Sequence, residues 1–478
     1  MLFNSTDFAI FFPIVFCLYW FATKGNVKFQ NILLLVASYF FYACWDYRFL
    51  FLLVFSTVLD YGTGLKMHDA KTQTMKKFWF WLSIGINLGF LGAFKYFNFF
   101  TESLADALVL VGFKAYFWTL NVILPVGISF YTFHGLSYVI DIYKGRINPE
   151  RNFIDYSVFV SFFPLLVAGP IERATHLLPQ IQSKRVFDKA NAVDGLKQIL
   201  WGLFKKVVIA DNCAEYANMV FNNSGEYSGS THVVAAIFFA FQIYGDFSGY
   251  SDIALGTARL LGIDLLRNFA FPYFSRDIAE FWRRWHISLS TWFRDYLYIP
   301  LGGSKGGNWM RVRNTFIIFL VSGFWHGANW TFIVWGFLHA LYIMPSILFK
   351  TNRNNLEIVA AGKMFASFKE LLSMIITFSL TVFAWIFFRA DSITDAFQFI
   401  GDMFSASIFT KPEGVKNAIV WMIVFLVAIE WLGREQKYGI AKIGRHWPRP
   451  LRWAFFYLIV FLIFEFRGSS QQFIYFQF

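Results

Sequence analysis

The sequence predicts an all-α protein that crosses a membrane many times, and three observations carry that prediction. Hydrophobic residues fill 57% of the 478 positions and charged residues only 15%, whereas a soluble domain is about a quarter charged. The 64 Phe and 18 Trp exceed what one soluble core absorbs. The apolar residues also gather in runs of about 17–25 residues, the length that spans a bilayer.

Taken in order, the runs cover residues 7–23, 29–46, 48–65, 78–100, 116–143, 194–212, 231–250, 313–330, 331–349, 370–388, 415–433 and 452–466. They predict about 11–13 membrane helices in one integral-membrane domain, 1–478. Two further stretches are too broken for simple spans. Ser161 to Ile171 holds two prolines and a glycine, and 276–303 mixes arginines and serines into an aromatic run. Non-helical backbone is tolerated at membrane depth only where protein or a water-filled cavity covers it. Segments 160–180 and 276–303 are therefore expected to be re-entrant or in-plane and to line a cavity.

Charge sets the expected orientation. The start, MLFNSTD, carries no Lys or Arg, the third loop carries Lys66, Lys71, Lys76 and Lys77, and the fourth, TESLADA, is acidic. The positive-inside rule then puts the N-terminus outside and the third loop in the cytoplasm. It also accounts for the formal net charge of +12, because the cations sit in short loops between apolar runs. Nucleic-acid binding is not expected. Three scattered cysteines, Cys17, Cys44 and Cys213, give neither a disulfide framework nor a metal site. No cleavable signal peptide is expected at Met1–Asp7.

Two histidines stand out, His286 in FWRRWHISLSTWFRD and His326 in SGFWHGANWTF, each directly preceded by a tryptophan. A polar side chain in so apolar a run costs several kcal/mol unless paired or wet, so function is the default expectation. His326 lies between Gly323 and Gly327 with Asn329 and Ser322 nearby, and a neutral imidazole is the natural base for a hydroxyl proton. If a helix ran through His286, Trp282 and Ser290 would share its face. No nucleophile elbow accompanies that Ser–His pair. Arg283 and Arg284 are candidates for a phosphate or for interfacial anchoring. Asp246 and Asp252, in YGDFSGYSD, would orient a histidine or a water, or clasp neighbouring helices. The glycine-rich loop Gly302–Arg313 offers Lys305, Arg311 and Arg313 to an anionic ligand.

The run FWRRWHISLSTWFRDYLYIPLGG, followed by FWHGANWTFIVWG with its histidine 40 residues after the first, resembles the membrane-bound O-acyltransferases (MBOATs). The likeness is to the bacterial branch of the alginate O-acetylation protein, the peptidoglycan O-acetyltransferase and the teichoic-acid D-alanylation protein. LPVGISFYTFHGLSYVIDIY (124–143), FFPLLVAGPIER (162–173), YGDFSGYSDIALG (244–256) and WIFFRA (385–390) extend it over nearly the whole chain. The resemblance implies a ring of membrane helices with re-entrant segments around a tunnel. It further implies a catalytic His326, with His286 as the second active-site position; from the neighbouring residues, N–H donors of Trp325, Asn329 or main-chain amides beside Gly327 are expected to stabilise the oxyanion. No bound cofactor is implied. The donor would be acyl-CoA or an acyl-carrier-protein thioester in the cytoplasm. The acceptor would be a hydroxyl on a cell-envelope glycan, reached directly or through a periplasmic SGNH-type partner, across the bacterial inner membrane. From the residues alone, two alternatives stay open: acylation of a lipid or protein, and a proton-coupled secondary transporter using both histidines as a relay.

Overall fold

Helices form every regular element among the described residues of the computed structural model, which are 1–113, 119, 124–167, 169–468 and 471–474. No strand occurs among them, and the chain is 73% helical. Cα packing divides it into two compact units, Met1–Ala192 with Ala258–Leu266, and Val193–Thr257 with Arg267–Phe478.

The first unit contains α1 (Thr6–Cys17), α2 (Val27–His68), α3 (Gln73–Leu91), α4 (Phe97–Leu110), α5 (Ile128–Tyr143), α6 (Phe153–Ser161), α7 (Phe163–Leu166) and α8 (Ala174–Gln182). Side chains of Ser5, Asn26, Thr72 and Asn152 cap the N-termini of α1, α2, α3 and α6, closing amides that hydrocarbon would leave unpaired. The expected runs 29–46 and 48–65 fall in one element, α2, which breaks at Asp46 (φ −158°, ψ 111°). The first part of the run 116–143 lies outside the described residues, and its second part is α5. Stretch 160–180 is short broken helices, as its prolines require. Buried polar pairs tie this unit together: Asp60 on α2 accepts from Ser83 at 2.6 Å and Asn87 at 2.8 Å on α3. Glu172 accepts from Leu266 N at 2.6 Å and pairs with His176 at 2.8 Å, a hydrogen bond that raises the His176 pKa.

The second unit contains most of α9 (Lys189–Leu203) and α11 (Gly229–Leu260), together with α10 (Asp211–Phe221), α12 (Ile278–Arg284), α13 (Ile287–Phe293), α14 (Gly307–His326), α15 (Trp330–Leu348), α16 (Phe368–Arg389), α17 (Ile393–Met403), α18 (Asn417–Gly433) and α19 (Arg449–Glu465). Glycines let its helices touch backbone to backbone. A Cβ on Gly202 would lie 2.6 Å from Gly249 O, and one on Gly336 would lie 2.2 Å from Phe319 O. Small residues at a contact are how helices approach closely in lipid, where burial alone gives no drive.

Five helical stretches among the described residues are long and apolar enough to cross a bilayer, Val27–His68, Gln73–Leu110, Gly229–Leu260, Trp330–Leu348 and Phe368–Arg389, and three apolar ones are shorter. Fewer reach full length than the sequence runs predict because several apolar helices stop at 10–17 residues. Phe204–Ala210, a π-helical turn between α9 and α10, divides the run 194–212.

Candidate active site

Both histidines stand where a helix stops. His286 occupies the break between α12 and α13, with left-handed backbone (φ 42°, ψ 54°) that costs a non-glycine residue about 1–3 kcal/mol. Neighbouring chain holds the break: Ile287 N donates to Asn268 O at 2.9 Å and Ala270 N to Arg284 O at 3.0 Å. Ser288 Oγ donates to Asn268 Oδ1 at 2.6 Å. No helix runs through His286, so the shared Trp282–His286–Ser290 face does not form. Ser290 instead donates to Trp285 O at 3.4 Å, and Trp282 turns to another partner.

His326 ends α14, and α15 begins four residues later. Asn329 caps α15 by accepting from Thr331 N at 3.0 Å, while its Nδ2 donates to Asp391 O at 2.7 Å. Its side chain is thus engaged in holding the turn that presents His326. Gly327 is needed for space, since a Cβ there would lie 2.0 Å from the Phe332 ring.

Aromatic rings join the two sites. Trp325 lies 6.0 Å from the His286 ring and 4.8 Å from the His326 ring, centroid to centroid. Phe247 meets His286 edge-on at 4.6 Å. Trp335 and Phe388 meet His326 at 5.0 and 5.2 Å, both near perpendicular. The structure therefore brings His286, Trp325 and His326 into one buried aromatic box.

It also adds a residue that sequence reasoning missed. His339 on α15, fully buried, lies 5.0 Å from Trp335 and so shares that ring with His326. Trp282 Nε1–H donates to His339 Nδ1 at 3.2 Å, which puts the proton of the neutral ring on Nε2. That nitrogen has no partner among the described residues. The signal for it was faint: one histidine in the span 331–349, four residues after a tryptophan.

The carboxylates pair with lysines of the same unit. Lys206 bridges Asp246 at 2.7 Å and Asp211 at 2.8 Å, and Lys205 meets Asp252 at 2.6 Å. These are helix clasps, the second of the two readings open in the sequence. The arginines of the first histidine motif are similarly held: Arg283 donates to Asn352 O and Asn355 O at 2.8 Å each, and Arg284 pairs with Glu280 at 2.7 Å.

The cationic loop does line a cavity. About 650 Å³ opens between α14 and α15, walled by Arg311, Phe319, Ile343, Ile347, Lys350 and Arg353 among others. Phe319 at its wall lies 5.1 Å from Trp282 and 6.2 Å from His339, so one ring layer separates cations from imidazole. Arg313 turns instead to Asn314 Oδ1 and Leu301 O, and Lys305 is exposed outside the cavity's lining.

Residues 150–388 match the model of the MBOAT, membrane-bound O-acyltransferase family. The chain is similar to the "Probable alginate O-acetylase AlgI" of Pseudomonas putida, 36% identical with both chains covered in full. It is also similar to the peptidoglycan O-acetyltransferase of Helicobacter pylori, 37% identical over 84% of this chain and 80% of that one. A more distant relative is the teichoic acid D-alanyltransferase of Bacillus subtilis, 26% identical over 56% of this chain and 69% of that one.

Proposed function

Because the chain belongs to the membrane-bound O-acyltransferase family, we propose that it moves an acetyl group from a cytoplasmic thioester to a hydroxyl of a cell-envelope glycan. It is an O-acyltransferase of a multi-pass membrane type, and that family sets aside the transporter reading. The observation that carries the finer proposal is the placement of Trp325 between two imidazoles in a buried aromatic box, with a cationic cavity on the far side of Trp335, His339 and Phe319.

In this reading His326 accepts the acceptor's hydroxyl proton as that oxygen attacks the thioester carbonyl. The C–S bond breaks, and the imidazolium returns the proton to the departing thiolate, leaving ester and free thiol. Trp325 and main-chain amides beside Gly327 stabilise the oxyanion. His286, rigid at its backbone break, positions the reacting groups. Arg311, Lys350 and Arg353 bind the phosphates of acyl-CoA or of a carrier protein's phosphopantetheine.

The cationic cavity then faces the cytoplasm of a bacterial inner membrane, and the α14–α15 turn faces outward, where an SGNH-type partner receives or relays the acyl group; separately, the charge of the early loops puts the N-terminus outside. Cysteine labelling checks this orientation once exposed Cys17 and Cys44 are replaced. In intact cells, cysteines at Ser103 and Glu226 should react with a membrane-impermeant thiol reagent, and those at Met75 and Arg353 should not. The opposite pattern would invert the orientation.

The catalytic proposal is tested with purified protein and acetyl-CoA, by following free thiol. Arg311→Gln/Lys350→Gln/Arg353→Gln should raise the donor KM about tenfold, from three partly screened charge contacts of about 0.5 kcal/mol each. Acceptor KM should not move. An unchanged donor KM at equal protein level would remove these cations from donor binding.

A further inference from the structure

The helix that stops at His286 also reaches the wall of the cationic cavity. Loop 349–367 joins α15 to α16 and carries Lys350, Asn352 and Arg353, which line that cavity. Arginines fasten the second half of the loop. Arg276 and Arg284 donate to Glu357 O, and Arg434 donates to Val359 O at 3.0 Å and Ala360 O at 2.8 Å. The first half, which borders the cavity, is fastened from α12. Arg283 Nη1 donates to Asn352 O and Nη2 to Asn355 O, both at 2.8 Å. Asn355 Nδ2 donates to Oδ2 of Asp277, the N-cap residue of α12, at 2.6 Å.

This geometry calls for arginine. Two carbonyls three residues apart each meet one Nη group of a single planar fork, which the point charge of a lysine ammonium cannot reproduce. The two carbonyls flank Arg353, so the fork fixes the main chain on both sides of that cation. A cation on a fixed loop has less freedom to lose when an anion binds, and that saving appears as affinity. Arg283 itself is not among the residues that line the cavity.

We propose that Arg283 is a positioning residue for the acyl donor: it holds Asn352–Asn355 so that Lys350 and Arg353 are pre-placed for the donor's phosphates, and it touches no part of the donor itself. The donor wall and the first histidine are then built on one element, α12. The proposal rests on the donor-binding reading above and adds to it a residue outside the cavity.

The test uses full-length protein in detergent with acetyl-CoA, following free thiol. Arg283→Gln should raise the donor KM roughly fivefold, the scale of one net hydrogen bond, with kcat changed by less than about twofold. Arg283→Lys keeps the charge and loses the fork, so it should behave like Arg283→Gln. Should Arg283→Gln fail to accumulate, Arg283→Lys carries every arm. Added to Arg311→Gln/Lys350→Gln/Arg353→Gln, Arg283→Gln should raise KM by less than about a further twofold, because it acts through those cations. Trypsin gives a readout independent of turnover. Cleavage after Arg353 should quicken about fivefold in Arg283→Gln as the loop opens more often, while cleavage after Lys71 in the α2–α3 turn holds steady. CoA should slow the Arg353 cut in wild type and lose most of that protection in the variant. A wild-type KM for Arg283→Lys would make Arg283 a charge and not a clamp, overturning the proposal. An undiminished effect on the triple variant would also overturn it, since Arg283 would then act on the donor without those cations. So would a lower kcat at unchanged donor KM, or faster cleavage after Lys71, either of which marks a general loss of structure. If wild type consumes no thioester, the acyl-transfer reading fails, and the Arg353 cut still decides the clamp. CoA protection lost in Arg283→Gln supports it; equal protection in both proteins, or none in wild type, removes it.

Discussion

His326→Ala is expected to lower acyl transfer about 10²–10⁴-fold, the usual cost of losing a general base, with the protein still present at wild-type level. Space and rigidity both argue for it. The imidazole is buried at the end of α14, held between perpendicular Trp335 and Phe388 rings, and the Asn329 cap fixes the turn that carries it. Removing the ring leaves the hydroxyl proton to water. His286→Ala should cost less, because the proposed mechanism gives it a positional role and Trp325 stands between it and His326. The measurement is thiol release and ester formation by both variants at matched amounts. Activity within a few-fold of wild type for His326→Ala would sink the assignment. A larger loss for His286→Ala, with acyl group retained covalently on the protein, would exchange the roles and return Ser290 to consideration.

The largest expected effect on folding is at Gly336. A Cβ there would lie 2.2 Å from Phe319 O and 2.9 Å from Phe319 C, both main-chain atoms that no rotamer change can move. Gly336→Val must therefore push α15 off α14, separating Trp335 and His339 from Phe319 and opening the box. Overpacking costs about 1–3 kcal/mol where side chains can yield, and this contact gives nothing that yields. We expect the variant to be nearly absent from the membrane fraction, while Gly92→Ala, whose Cβ would meet nothing within 4 Å, accumulates normally. Equal amounts and equal thermal stability of the two would show that the hairpin is looser than described.

Much of this was legible in the sequence. Helical content, membrane class and the Trp–His pairs follow from composition and from residues adjacent in the chain. What escaped depended on partners far apart in it. The break at His286 is not written into RRWHISLS, which has neither Gly nor Pro; it is imposed by Asn268 and Ala270. His339 carries no motif and gains its place from Trp282, 57 residues earlier. Arg283 and Arg284 read equally as phosphate ligands or interfacial anchors until the loop at 352–357 supplies the carbonyls that engage Arg283 and helps hold Arg284 beside Glu280. The cationic loop was half legible as a cavity wall: Arg311 lines the cavity, but Lys350 and Arg353 arrive from the far end of α15.

The adjacent Lys205 and Lys206 bear on how the chain is made. Each lysine adds about 2.5–3.5 kcal/mol to the insertion of a span that carries it at mid-depth. Lys206 finds Asp211 within its own stretch, but Asp246 and Asp252 belong to α11, some 40 residues further along. Until the ribosome has delivered α11, the segment 194–212 holds an ammonium group with no counter-ion. The Lys205 ammonium can therefore be buried with a counter-ion only once α11 is in place to supply Asp252.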